Sequence, residues 1–271
     1  MALKNSLPKI YQKFFRPEIL NIDVVETKAT CNNCLRSRDA RFEYKYKAEL
    51  KCCTFFPYLP NFAVGGILHN NLGGKNIVQH KIFNQEFSIP IGLYPTLKYQ
   101  YEFQNKKPKD FGTRVDLLCP YFDKNNDNCS IWEFRGTVCT TFFCRSDYGK
   151  KGLRFWDTLS DYLSYVEMAL AEECLVMLDF SPRDISDQLI FLNQKEFTVK
   201  QKTQIKLNDK DMKAFWNGYK SPEDFYLMCY SLVQGLTRKQ FQEILGSKGL
   251  QLEKYVIDLY KELSEQSSQD V

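Results

Sequence analysis

Histidine is almost missing from this chain: His69 and His80 are the only two among 271 residues. That excludes a catalytic zinc site of the HExxH kind, which needs two histidines one helical turn apart. Long apolar runs are missing as well, and no stretch approaches the ~18 apolar residues of a membrane-spanning helix. The opening MALKNSLPKIYQKFF lacks the apolar core of a secretory signal peptide. Strong charge of either sign is also absent, with 37 Lys and Arg set against 33 Asp and Glu for a net +4. The densest basic stretch, Lys106-Lys107-Pro108-Lys109, is closely followed by Asp110 and reads as a solvated loop, so nucleic acid is not the expected partner. Neither P-loop nor GxGxxG spacing occurs. The paired glycines Gly65-Gly66 and Gly73-Gly74 read as ordinary turn chemistry in preference to a close backbone approach or a phosphate-cradling loop.

What is present in quantity is apolar and aromatic material, 44% and 15% of the residues, enough for a full-sized core without staples. The expected setting is a reducing cytoplasm with no membrane partner, where cysteines are rarely in disulfides. Ten cysteines in such a compartment point to metal or catalysis.

The cysteines are unevenly spread. Eight fall between Cys31 and Cys144, while Cys174 and Cys229 lie apart on the apolar stripes of helical patterns, where they read as small core hydrophobes. The first group is Cys31-Asn32-Asn33-Cys34 followed by Cys52-Cys53. Two residues between cysteines let both sulfurs face one ion, and the asparagines suit the knuckle turn. The second group is Cys119, Cys129, Cys139 and Cys144. Neighbouring side chains diverge in most backbone conformations, so Cys52 and Cys53 would serve two centres or bridge one. Two four-coordinate sites, one polynuclear cluster with thiolates to spare, and a site shared between the groups all remain open.

The ordered set CNNC, KCC and LCPYFDKNNDNCSIWEFRGTVCTTFFC resembles the CxxCxxCC family, the YkgJ-type cysteine-cluster proteins associated with zinc or iron chelation. Cys119-Pro120 supplies the family's Cys-Pro start, and Cys129-Ser130-Ile131-Trp132 its middle segment. Arg135 then precedes the closing Cys139 and Cys144. The resemblance spans roughly residues 31–145. It differs in a longer Cys34-to-Cys52 spacing, which implies a looped-out insertion, and in Gly136 where the family carries proline. It implies metal binding by Cys31, Cys34, Cys52, Cys53, Cys119, Cys129, Cys139 and Cys144, with Zn2+ or an iron–sulfur cluster as cofactor. One relative of known activity, the flagellin lysine N-methylase, carries an iron–sulfur cluster.

The expected fold class is α+β, with a cysteine-cluster N-terminal half of short strands and irregular loops and a helical C-terminal half. The expected division is residues 1–150, a helical region 151–264 packed on them, and a polar tail 265–271. Leu93–Phe103, Arg114–Leu118 and Ser130–Phe134 read as strands. In the helix over Leu159–Leu178, Leu159, Tyr162, Leu163, Val166, Leu170, Cys174 and Met177 form the inner stripe; Ser160, Asp161, Ser164, Glu167, Ala171 and Glu172 form the outer face. Ser181-Pro182 and Ser221-Pro222 read as helix starts, Thr237-Arg238-Lys239-Gln240 as a capping box, and Gly246 as a helix stop. The functions weighed are a metal-binding protein with a structural or interaction role, an iron–sulfur enzyme that modifies proteins, and a metal or redox sensor. A metal ion and a protein partner or protein substrate are the expected partners.

Overall fold

The computed structural model describes residues 3–5, 7–22, 34–38, 43–142, 148–216 and 218–267. The architecture is α+β, with helices dominating after residue 148 and only two-residue strands before it. In chain order come α1 (Pro17–Leu20), α2 (Leu35–Arg38), β1 (Leu59–Pro60), α3 (Asn61–His69), α4 (Lys75–Phe83), β2 (Ser88–Ile89), β3 (Gly92–Leu93) and α5 (Leu97–Gln104). These are followed by the hairpin β4 (Phe122–Asp123) and β5 (Asn128–Cys129) and by α6 (Thr137–Thr141). The helical half contains α7 (Gly149–Met177), α8 (Pro182–Leu192), α9 (Asp209–Trp216), α10 (Pro222–Gly235) and α11 (Arg238–Ser267). Strands β1, β3 and β2 form one antiparallel sheet in that order, and β4–β5 a second, with Phe122 opposite Cys129.

The helix punctuation is realised. Ser181 and Asp184 cap α8 reciprocally, and Ser221 accepts from the Asp224 N–H at the start of α10. Thr237 and Gln240 exchange side-chain and backbone bonds at the start of α11. Gly246, at φ +58° and ψ −167°, leaves helical geometry, so Arg238–Ser267 is two helices meeting at a kink there, in line with the stop expected at Gly246.

Five expectations about local structure are corrected. Leu93–Phe103 is mostly helix, because Thr96 caps the chain there by accepting from the Tyr99 N–H, and only Leu93 itself lies in a strand. Arg114–Leu118 and Ser130–Phe134 contain 3-10 turns at Val115–Leu117 and Trp132–Phe134. Gly65-Gly66 is not a turn but lies inside α3, where a methyl on Gly65 would sit 1.9 Å from the Tyr226 carbonyl oxygen of α10. Glu167 and Ala171 are buried on α7, away from the polar face read for them.

One continuous core of buried side chains runs through both halves. The N-terminal residues Tyr11, Phe14 and Phe15 pack among α7 and α11, with Phe14 stacked on Phe241 at 4.6 Å. Arg16 adds an ion pair to buried Glu253 at 2.9 Å. Among the described residues no helix is long and apolar enough to cross a membrane.

Candidate metal centre

Four short segments carry the described cysteines of the cluster. Cys34 is buried and leads into α2, whose Arg36 carbonyl accepts from the Tyr46 N–H at 3.1 Å. Tyr46 in turn packs on Gly112 and edge-on against Phe111. Cys52 and Cys53 follow Lys51, a buried lysine in the left-handed region at φ +54°. Its ammonium pairs with the Asp127 carboxylate and donates to the Asp127 carbonyl, which ties the double cysteine to the β4–β5 hairpin that carries Cys129.

A second tie is the Cys119 N–H, which donates to the Cys53 carbonyl at 2.7 Å. Tyr99 of α5 reinforces it. Its hydroxyl accepts from the Phe56 N–H at 2.9 Å and shares its own proton between the Thr54 and Leu117 carbonyls, both at 3.1 Å. Cys139 sits in α6, which starts at Gly136. There φ is −64°, a value open to proline, but a Cβ at Gly136 would lie 2.9 Å from the Tyr58 carbonyl oxygen, so glycine permits a close backbone approach.

These ties bring Cys52 and Cys53 of the first group to three cysteines of the second, whereas Cys34 is not among the residues that line their cavity. Cys52, Cys53, Cys119, Cys129 and Cys139 line a single cavity of about 350 Å³. Its other walls are mainly aromatic and apolar, including Phe55, Phe103, Phe111, Tyr121, Phe122 and Phe142. Arg135 is the cationic side chain in the lining. Buried, it lies 3.6 Å above the Trp132 ring and donates to the Trp132 carbonyl at 2.8 Å. Glu133, two residues before it, faces Lys9 at 3.5 Å.

The thiols feel one another. Contact with Cys53 and then burial push the Cys52 thiol up. Burial, with Cys139 and Cys129 nearby, pushes Cys119 up, against a pull from Lys81 and the Tyr121 N–H. Burial, Cys129 and Cys52 push Cys139 up to about 12, opposed by Arg135. Among the described residues no three Cys, His, Asp or Glu side chains form a ready-made ligand set. Cys31 and Cys144 lie outside the described residues, as does Phe143. The cavity's chemistry nonetheless fits a thiolate-bound metal: five sulfur donors, a buried guanidinium to offset their charge, and a water-poor aromatic wall.

Cys174 and Cys229 sit elsewhere, fully in the core, where the Cys174 thiol donates to the Cys229 carbonyl at 3.7 Å. His69 packs on Tyr230 and His80 is exposed near Glu86, both away from the cavity. The feature that sequence reasoning missed is Glu167, which lies on α7 in a second cavity behind the first. Its place on the polar face expected for the Leu159–Leu178 helix carried no signal of burial. Compared with known proteins, the chain matches no family model, no curated protein and no solved structure.

Proposed function

We propose that this protein binds metal through its cysteine cluster, and that both sequence groups contribute to one shared centre. The observation that supports this reading is the cavity with Cys52, Cys53, Cys119, Cys129 and Cys139 on its walls. Two independent four-coordinate sites, one for each group, would hold Cys52 and Cys53 apart from Cys119, Cys129 and Cys139. Cys34, Cys31 and Cys144 complete the donor set in this proposal. The metal is zinc or an iron–sulfur cluster, as the resemblance to YkgJ-type proteins implies. Its role is to organise the loops of the N-terminal half or to present them to a protein partner. A closed thiolate site of this kind holds a chain in shape without offering an open position for chemistry.

A second reading, an iron–sulfur enzyme acting on a protein, draws support from the aromatic part of the same cavity, where Phe55, Phe103, Phe111 and Phe142 leave space beside the sulfurs. Anaerobic purification with elemental analysis and a visible spectrum separates the two. Zinc without colour supports the structural reading; iron with acid-labile sulfide and brown colour supports the second. Cys119→Ser should lower metal content, whereas Cys229→Ala should leave it unchanged. A metal-free protein from every preparation sinks both readings.

A further inference from the structure

The second cavity, of about 190 Å³, lies behind the cysteine cavity and shares the walls Phe55, Pro57 and Val138 with it. Its buried wall carries the Glu167 carboxylate, a residue only 7% exposed. Charged carboxylates are almost never buried this deeply without a cation or a full set of donors. Glu167 has neither. The Tyr11 hydroxyl donates to it at 3.2 Å, and Thr137 lies near it, with its buried hydroxyl left without a hydrogen-bond partner. A carboxylate offers about four acceptor positions, and these neutral groups leave part of that capacity unused. Among the described residues no Lys, Arg or His acts on it. Arg135 lines the cysteine cavity, where its guanidinium lies over the Trp132 ring. The Tyr58 hydroxyl, also in the lining, is taken up by the Ile91 carbonyl at 2.7 Å.

The rest of the lining suits the non-polar body of a small cation. Phe55, Tyr58 and Met168 provide aromatic and thioether surface, and Ser164 and Val138 are exposed at the rim. Cations are held by such surfaces when a carboxylate supplies the charge. We propose that this cavity binds the head group of a small alkylammonium ion, with Glu167 as its counterion and Phe55, Tyr58 and Met168 around its methylene groups. The bound amine would lie one wall away from the cysteine cavity, on the far side of Val138. This assignment does not depend on which metal the cysteines take, or on whether they take one.

The test is calorimetric titration of the full chain, as purified, with n-butylammonium chloride at pH 8 and with neutral 1-butanol as the control. Butylammonium should bind once per chain and butanol should not. Glu167→Gln, which keeps the shape and removes the charge, should weaken butylammonium binding at least ~10-fold, the loss of ~1.4 kcal/mol or more. Ser164→Phe, at the exposed rim, should block binding while melting like the unmodified protein. The proposal is overturned if butylammonium binds no better than butanol, or if Ser164→Phe binds it unchanged. Equal affinity in a folded Glu167→Gln variant overturns it as well.

Discussion

At the scale of single residues, Glu167 makes the clearest prediction. Burial raises its carboxyl from the usual 4.5 to about 7, although Thr137 and Tyr11 pull the other way. A raised folded-state value means that the neutral form is favoured by folding. Its stabilising effect is complete below pH 4.5 and is lost as pH rises through 7. The tyrosines facing it, Tyr11 and Tyr58, are themselves pushed upward and stay neutral across this window, so they do not reverse the sign. Denaturant titrations of the full chain should show this group removing about 3 kcal/mol between pH 4.5 and 8. Glu167→Gln should flatten that slope. A parallel slope in the variant would show that the carboxyl does not titrate in this range. Tyr99 belongs to the same scale: Tyr99→Phe leaves the Phe56 N–H and the Thr54 and Leu117 carbonyls with one partner fewer each. The expected loss is about 1–3 kcal/mol, read from the urea midpoint.

At the scale of elements, α3 and α10 approach each other closely at Gly65. Eight of the nine α3 residues are buried, and Gly65 lets the Tyr226 carbonyl oxygen come in where a side chain would stand. Gly65→Ala should force the helices apart and cost about 1–3 kcal/mol or more. Gly235→Ala, at the end of α10 with nothing within 4 Å of an added methyl, should stay within about 1 kcal/mol of the unmodified protein. Comparing the two urea midpoints checks that the penalty comes from the contact and not from glycine chemistry in general.

At the scale of the whole molecule, the core is continuous and large, and it is built mainly from ordinary apolar and aromatic side chains, with Cys119 a member and Cys53 and Cys129 packed against it. The cysteine segments are instead held by single ties: Lys51 to Asp127, Cys119 to Cys53, and Tyr99 to its three backbone partners. Removing metal with a chelator should therefore leave most of the far-ultraviolet circular dichroism in place. Limited proteolysis should meanwhile become faster between residues 31 and 145. A collapse of helical signal on chelation would show that the metal holds the fold as a whole.

Much of this was legible in the chain itself. Helix starts at Ser181, Ser221 and Thr237 could be read because capping is local: a side chain meets a backbone N–H three residues away. The core placement of Cys174 and Cys229 could be read from helical periodicity for the same reason. Leu93–Phe103 was misread because alternation in a short run does not separate a strand from a helix, and the Thr96 cap decided it. Other facts belong to no local pattern. The meeting of Cys52 and Cys53 with Cys119, Cys129 and Cys139 depends on hydrogen bonds and an ion pair between segments more than 40 residues apart. The burial of Glu167 depends on Tyr11, which is 156 residues away in the chain. Sequence by itself determined which residues could donate sulfur and where helices begin, because those are properties of side-chain chemistry and short-range geometry. Only the tertiary structure decided that the sulfurs share one cavity and that a carboxylate waits behind it, because both arise from long-range packing.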